Sequence, residues 1–116
     1  MATTPIIDAH HHFWDLSLKK HPWLDGRHNI KSFRYGDYSE IKKNYLLEDY
    51  KNDWGNHQIV KSIYVETEWD PTDPIGETAW VQHYYERYGF PNASVGQVWF
   101  ENDNVDQVLA DHKQFP

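Results

Sequence analysis

The sequence predicts an α/β fold built around a mainly parallel sheet. Three short segments rich in apolar, β-branched and aromatic residues alternate with three segments in which apolar residues recur every three to four positions. Consecutive parallel strands need a crossover connection long enough to return across the sheet, and a helix usually provides it. We therefore expect the order strand, helix, strand, helix, strand, helix.

The first half of the chain predicts a strand, a long loop and a short helix. The apolar run at residues 5–9 is short enough to be a buried strand. Residues 13–45 mix aromatic residues with Lys, Asp, Gly and Pro without a sustained period, which indicates a loop, and loops of this length are usually functional. Helical spacing of apolar residues up to Gly55 predicts a helix over 46–54.

The middle of the chain predicts a second strand and the longest helix. The β-branched and aromatic run at residues 60–66 is typical of a strand. Asp73 followed by Pro74 resembles a helix N-cap and a first-turn proline, and helical spacing then continues to Tyr88. Gly89 is expected to end this helix.

The last part of the chain predicts a third strand and a third helix. Residues 94–100 form the strand segment, and Asn104 is placed to cap a helix with one apolar face. No repeat, low-complexity tract or Gly/Ser linker marks a second domain. The whole chain, residues 1–116, is therefore expected to belong to a single domain.

Charge and composition exclude several classes of protein. The 116 residues include 11 Lys and Arg against 18 Asp and Glu, a net charge of −7, which makes nucleic acid and anionic membranes poor partners. No apolar run approaches the roughly 20 residues of a spanning helix, and no secretory signal precedes the first strand. Zero cysteines exclude disulfides and thiolate metal sites. We therefore expect a cytoplasmic protein.

Three histidines follow the first strand at residues 10–12. In an extended chain the side chains of His10 and His12 point to the same side, where both imidazoles can reach one divalent ion. Asp8 has the same parity and could orient one of the rings. The alternative is a solvated histidine run, or one ring that hydrogen-bonds to a backbone group.

Two carboxylates share one side of the second strand near its end. Glu66 is a candidate catalytic residue and Glu68 a candidate substrate contact, because such groups can bind a metal, orient an imidazole or accept a hydrogen bond from a sugar hydroxyl. The alternative is that one of them is paired inside the fold while the other caps the next loop.

Several tryptophans are predicted to lie in loops near the same end of the strands. Trp14 and Trp69 are candidate substrate contacts, because indole rings stack on sugar faces and lactone rings. Their alternative role is to seal the long loop onto the fold. The sequence has no Gly-x-Ser-x-Gly motif and no glycine-rich phosphate loop, so serine-hydrolase chemistry and nucleotide binding find no support.

Several of these motifs resemble those of one enzyme superfamily. The run Ile6-Ile7-Asp8-Ala9-His10-His11-His12-Phe13-Trp14-Asp15 closely resembles the opening of the amidohydrolase superfamily, in its branch of 2-pyrone-4,6-dicarboxylate lactonases and sugar-lactone hydrolases. Pro22-Trp23-Leu24 looks like a loop motif of that branch, and residues 64–80 resemble its second strand and following helix. The resemblance covers nearly all of the chain.

The resemblance implies a (β/α)₈ barrel with its active site at the carboxyl ends of the strands. It also implies a hydrolase in which His10 and His12 form the His-x-His pair of strand one, with His11 at the variable position. The expected cofactor is a divalent ion, zinc or manganese, and the expected substrate is a lactone attacked by activated water. Members of this branch occur with and without a metal, so metal-independent chemistry also fits.

The chain accounts for only part of such a barrel. A complete (β/α)₈ barrel takes about 250 residues, so three βα units predict an incomplete barrel in which residues 1–116 are the N-terminal fragment of the domain. The histidines of the middle strands and the aspartate of the last strand, which the superfamily also uses, would lie outside it. Exposed sheet edges would then favour self-association or a companion chain.

Two other functions remain open from the sequence. The chain could be a catalytically inactive, truncated fragment that at most binds a metal ion or a sugar. It could also be a small, acidic, tryptophan-rich module that binds sugars, although the strand-end histidines would then have no purpose.

Overall fold

A three-stranded parallel sheet forms the centre of the fold. In the computed structural model, which describes residues 3–26 and 36–116, the strands are β1 (Pro5–His11), β2 (Gln58–Val65) and β3 (Ala93–Val95). β2 lies between β1 and β3, and both pairs are parallel. The predicted α/β class with a parallel sheet is confirmed. The barrel remains a prediction.

One helix follows each strand along the chain. The helices are α1 (Leu47–Asp53), α2 (Pro74–Tyr88) and α3 (Val105–His112). α2 begins at Pro74 and ends at Gly89, which adopts a positive φ of 80°, as the sequence predicts. None of the helices within the described ranges is both long and apolar enough to cross a membrane.

The third strand is shorter than the sequence predicts. The expected strand over 94–100 ends at Val95, and irregular backbone follows it from Gly96. A Cβ atom at Gly96 would lie 2.6 Å from the imidazole of His112, so α3 packs directly against this segment. The amide of Gln97 then donates a hydrogen bond to the carbonyl of Trp69 at 2.9 Å, and these contacts draw the chain away from the sheet.

The two predicted N-caps do not act as caps. Neither Asp73 nor Asn104 makes a side-chain hydrogen bond to the first turn of its helix. Asp73 instead accepts a hydrogen bond from the ammonium group of Lys20 at 3.0 Å and one from the indole of Trp69 at 3.3 Å. The Asp73 carboxylate therefore joins α2 to the segment after β1.

The long loop is closed by backbone pairing at its two ends. Trp14 and Tyr45 form an antiparallel bridge in which each N–H donates to the other residue's carbonyl at 2.9 Å. Short 3₁₀ turns lie at Leu16–Leu18 and Ser39–Ile41. The predicted loop over 13–45 also includes residues 27–35, which lie outside the described residues. The bridge holds the two ends of the loop together.

The hydrophobic core lies between the sheet and the helices. Phe13 is completely buried, and the cluster around it comes from α1, β2 and α2: Leu47, Tyr50, Tyr64 and Val81. Ser62 is also fully buried on this side of β2. The helices therefore cover one face of the sheet.

The opposite face of the sheet carries apolar residues that the described chain leaves uncovered. We call this the open face and define it by the residues that share the side of the sheet away from the core: Ile7, Lys61, Ile63, Val65, Ala93 and Val95. Ile7 is 59% exposed and Val95 is 51% exposed. Parallel sheets are normally covered on both faces, so an apolar open face is unusual.

We expect Phe13→Ala to lower the free energy of unfolding by about 3–5 kcal/mol, because it opens a cavity in the core. The matched control is Phe100→Ala, at a side chain that is 81% exposed, and we expect a change below about 0.5 kcal/mol. Urea unfolding followed by tryptophan fluorescence measures both. Equal losses in the two variants would contradict the assignment of the core.

Candidate active site

His10 and His12 lie together at the carboxyl end of β1. Their ring centroids are 5.0 Å apart in an edge-on arrangement, as their spacing predicts. The ring of His12 also stacks at 19° on Trp14, with the centroids 6.3 Å apart. The pair thus sits where parallel sheets of α/β enzymes hold their functional groups.

One hydrogen bond fixes the ring of His12. Its Nδ1 lies 2.8 Å from the carbonyl oxygen of Val65, the last residue of β2. A carbonyl can only accept, so Nδ1 carries the proton and donates, and Nε2 of the neutral ring keeps its lone pair. Histidines that bind metal ions commonly hold their second ring nitrogen in this way. The geometry therefore suits His12 for metal binding through Nε2.

The middle histidine of the run belongs to the core instead. His11 is 6% exposed, stacks on Tyr50 with the centroids 4.2 Å apart, and shares a hydrogen bond of 2.9 Å between its Nε2 and the hydroxyl of Ser62. Burial lowers the pKa of His11 to about 4, so the ring is neutral near pH 7. His11 packs on the helix side of the sheet, away from the pair.

The expected role of Asp8 beside the histidine rings is wrong. Between Asp8 and His11, β1 advances three residues while β2 advances only from Ser62 to Tyr64, and this irregularity turns Asp8 to the helix side. There its carboxylate accepts a hydrogen bond from the Tyr50 hydroxyl at 2.7 Å and one from the backbone N–H of His10. Burial opposes ionisation, yet these bonds lower the pKa of Asp8.

Among the described residues, His10 and His12 are not joined by a third side chain that could help to hold a metal ion. Across residues 3–26 and 36–116, no group of three or more His, Cys, Asp or Glu side chains is placed to hold a metal. Zinc sites in proteins use three or four protein ligands. The imidazole donors of His10 and His12 suit zinc, whereas manganese prefers oxygen ligands, and further ligands for either ion would have to come from elsewhere.

Glu66 and Glu68 both lie just beyond the end of β2. The carboxylate of Glu66 accepts a hydrogen bond of 2.8 Å from the backbone N–H of Glu68, and the N–H of Glu66 donates to the carbonyl of Val95. Glu68 is exposed and adopts a positive φ of 54°. The Glu66 carboxylate therefore shapes this turn.

The two candidate tryptophans have different surroundings. Trp14 is half-buried beside His12, and its indole N–H donates to the carbonyl of Lys43 at 2.8 Å. Trp69 is 4% exposed, with its ring packed on His21 and Trp80. Trp14 lies next to the histidine pair. The packing of Trp69 matches the sealing role that the sequence left open, and its contact with substrate remains a prediction.

A buried polar cluster at the end of β2 was not predicted. Thr67 donates to one oxygen of the Glu77 carboxylate through its N–H at 3.0 Å and through its hydroxyl at 2.8 Å, and Tyr64 donates to the same oxygen at 2.7 Å. The Thr67 hydroxyl has one proton, so it accepts from Nε2 of His21 at 2.8 Å. The indole of Trp23 donates to the Thr67 carbonyl at 2.9 Å. We call these five residues the Thr67 cluster.

Burial dominates the electrostatics of the Thr67 cluster. Glu77 is 2% exposed, and desolvation raises its pKa despite the three hydrogen bonds. His21 is fully buried, and desolvation lowers its pKa to about 4 although Asp25 and Asp15 oppose the shift. One oxygen of Glu77 and Nδ1 of His21 have no hydrogen-bond partner among the described residues. Both groups therefore favour their neutral forms more than exposed groups do.

The helical spacing of the sequence could have shown that Glu77 is buried. It lies four residues before Val81 and seven before Tyr84, so it shares the buried face of α2. A carboxylate at a core position predicts hydrogen-bonding partners, because an unpaired one is costly. No local sequence pattern joins Glu77 to its partners, Tyr64 and Thr67, or Thr67 to His21.

We expect Thr67→Val to lower the free energy of unfolding by about 1–3 kcal/mol, because the variant keeps the shape of the side chain and leaves buried partners unpaired. The matched control is Thr72→Val, at an exposed hydroxyl that donates to Asp70, with an expected loss below about 0.5 kcal/mol. Urea unfolding measures both. An unchanged free energy of unfolding in Thr67→Val would show that the Thr67 cluster does not stabilise the fold.

We expect stability to depend on pH through His21. Its folded pKa of about 4 lies below the ordinary 6.5, so between these values the unfolded chain holds the extra proton. Relative to His21→Gln, the wild-type chain should lose up to about 3 kcal/mol as the pH falls from 7 to 4. The other titrating groups are the same in both proteins, so their contributions cancel in this comparison. Parallel curves of unfolding free energy against pH for the two proteins would refute the prediction.

Comparison with known proteins finds one relative of unknown function. The protein named uncharacterized protein y4mH of Sinorhizobium fredii is 40% identical over 116 residues, which is 99% of this chain. The chain spans 38% of the length of that relative. No family model matches the sequence, and no solved structure matches it. The chain is therefore similar, over nearly its whole length, to part of a longer protein.

Proposed function

We propose that this chain is the N-terminal part of a metal-dependent amidohydrolase-type hydrolase that acts on a lactone, either a sugar lactone or a related carbonyl compound. The His-x-His motif and its flanks support this proposal, as do the parallel sheet and the position of the histidine pair. In this proposal the three βα units are the opening of a (β/α)₈ barrel, residues 1–116 belong to one domain, and the protein is cytoplasmic.

The observation that carries the proposal is the hydrogen bond that orients the ring of His12. The N–H of His12 at Nδ1 donates to the Val65 carbonyl, which leaves Nε2 available, and the ring centroid of His10 is 5.0 Å from that of His12. This bond to a part-buried carbonyl of the neighbouring strand is also what the alternative of one ring bonded to a backbone group predicts, and the nearby ring of His10 is what favours the metal. Two oriented imidazoles at the carboxyl end of β1 are what a divalent ion, zinc or manganese, requires of this strand.

The proposed reaction is hydrolysis of the lactone ring. A water oxygen attacks the carbonyl carbon, the ring C–O bond breaks, and the leaving oxygen takes a proton, which gives a hydroxy acid. A divalent ion would supply a Lewis acid and lower the pKa of water. His10 and His12 would hold that ion; in the metal-independent version they would polarise the carbonyl as hydrogen-bond donors, which for His12 requires a second proton, on Nε2. Trp14 flanks His12 and is the aromatic surface nearest to the pair.

Glu66 and Glu68 keep their proposed roles at the edge of this site. Glu66 is the proposed catalytic carboxylate of the chain, and Glu68 and Trp69 are proposed substrate contacts. Glu68 is exposed and can reach a ligand from its present position. The Glu66 carboxylate accepts the N–H of Glu68 on Oε2 and would act through its other oxygen, whereas the ring of Trp69 would have to leave its packing against His21.

The second candidate function is an inactive fragment that at most binds a metal ion or a sugar. The observation that favours it is that the part of the chain described here brings only two metal-binding side chains together at the strand ends. Water activation needs a general base and a complete ligand set, and a pair of histidines provides neither alone.

We expect the chain to bind one zinc or manganese ion through the histidine pair. His10→Ala and His12→Ala should each weaken binding at least about tenfold, because each removes one of two ligands. The matched control is His83→Ala, at an exposed histidine of α2, which should bind like the wild-type chain. Isothermal titration calorimetry with each metal measures this. Equal weakening in all three variants would refute a site at the pair.

Turnover separates the two candidate functions. Metal-dependent hydrolysis of a panel of sugar lactones that is lost in His10→Ala would establish the hydrolase. Metal binding at the pair without hydrolysis at any metal concentration would establish the inactive fragment for this chain. The same assay on the Sinorhizobium fredii relative, with its corresponding histidines replaced, would test the reaction in a longer protein.

A further inference from the structure

We propose that a cavity between the loops after β2 and β3 binds a small organic ammonium ion, an amine carried on an apolar frame. The cavity has a volume of about 410 Å³ and lies where these two loops meet the beginnings of α2 and α3. Cavities of this size hold whole small molecules. The proposal goes beyond the hydrolase, because the lining of this cavity includes neither the histidine pair nor the carboxylates and tryptophans assigned above.

Most of the wall of the cavity is apolar. The apolar residues come from both loops and from both helices: Pro71, Pro74, Val98, Trp99, Val105 and Val108. The indole N–H of Trp99 is itself buried, and no described residue accepts a hydrogen bond from it. The part of the Trp99 ring that faces the cavity is therefore carbon, which suits the apolar frame of a ligand.

The unpaired polar side chains of the cavity come from three consecutive residues. Asn102, Asp103 and Asn104 are exposed, and their side chains make no hydrogen bond or ion pair with another described residue. Thr72 also lines the cavity, but its hydroxyl already donates to Asp70 at 2.7 Å. The cavity thus has one polar end and an apolar wall, which is the pattern that an amphiphilic ligand needs.

The charge of the cavity selects a cation. The carboxylate of Asp103 is the one charged group among the described residues that line it, and Glu101 and Asp106 lie close by along the chain. The whole protein has a net charge of −7, which attracts cations and repels anions. An ammonium group would pair with Asp103 and donate its other N–H bonds to the amide oxygens of Asn102 and Asn104.

A polyol fits this cavity less well than an amine does. A polyol carries hydroxyl groups around its whole frame, and those that face the proline and valine side chains would lose their hydrogen bonds to water without replacement. A lysine side chain of another protein carries the same ammonium group as a free amine. The experiments therefore include a lysine probe, which separates the two sources.

Three probes with one frame test the charge. At pH 7 benzylamine is a cation, benzyl alcohol is neutral and benzoate is an anion. Their binding to the full chain is followed by the indole N–H signal of Trp99 in proton–nitrogen NMR spectra. We expect benzylamine to bind about threefold more tightly than benzyl alcohol, as for an exposed ion pair, and benzoate not to bind. Equal affinity for the amine and the alcohol, or a preference for benzoate, would overturn the proposal.

Matched variants locate the charge. Asp103→Asn should remove the preference for benzylamine and leave the affinity for benzyl alcohol unchanged, because it keeps the size of the side chain. The control Asp106→Asn removes the same charge at an exposed position outside the cavity and should keep the preference. A preference that survives in Asp103→Asn, or that is lost equally in both variants, would overturn the proposal.

A second pair of variants tests the apolar wall. Trp99→Leu should weaken binding of both benzylamine and benzyl alcohol about threefold or more, because it removes the aromatic surface. The control Phe100→Leu changes a side chain that is 81% exposed and does not line the cavity, and it should bind like the wild-type chain. Ligand-observed NMR measures these affinities, and circular dichroism checks folding. Unchanged affinity in a folded Trp99→Leu would overturn the proposal, and Asp103→Asn keeps the test valid if Trp99→Leu unfolds.

The remaining probe identifies the source of the ammonium group. Nα-acetyl-lysine methylamide presents the lysine side chain as another protein would. Tighter binding of benzylamine than of this probe would support a free amine, and the reverse order would overturn the small-molecule assignment. His10→Ala should bind benzylamine like the wild-type chain, because His10 does not line the cavity. Loss of the proposed hydrolysis would therefore leave this test intact.

Discussion

The Glu77 carboxylate holds together the parts of the chain that surround the candidate site. It is buried beneath the end of β2, where one of its oxygens accepts three hydrogen bonds from Thr67 and Tyr64. Thr67 in turn binds His21 and Trp23, which belong to the long loop after β1. The strand end, the first turn of α2 and the loop are thus fixed to one buried acid.

This arrangement constrains the histidine pair indirectly. His12 takes its orientation from the carbonyl of Val65, two residues before Thr67. Any movement at the end of β2 would displace that carbonyl and release the ring. The buried cluster and the histidine pair are therefore linked through residues 65–67, and the desolvation cost of burying Glu77 is partly offset by its three hydrogen bonds.

Local pattern predicts much of the fold and less of the site. Pro74 and Gly89 mark the ends of α2 because backbone conformation near proline and glycine depends on the residue itself. Strand parity brings His10 and His12 together, yet the same parity fails for Asp8, since the irregular register of β1 depends on pairing with β2. The partners of Glu77 could not be predicted, because they meet only through tertiary packing. The end of β3 likewise follows from the contact between Gly96 and α3.

The bridge between Trp14 and Tyr45 joins the two ends of the long loop at the point where the loop leaves the rest of the fold. Because the chain leaves and returns at one point, the distance that the loop must span does not change with its length. Closure entropy grows only slowly under that condition, by about 0.6 kcal/mol for each doubling of loop length. Insertions at exposed positions of this loop can therefore accumulate at little cost to the sheet, while its buried residues His21 and Leu24 stay tied to the fold. The surface beside the histidine pair is free to diversify in evolution while the strands that position the pair stay the same.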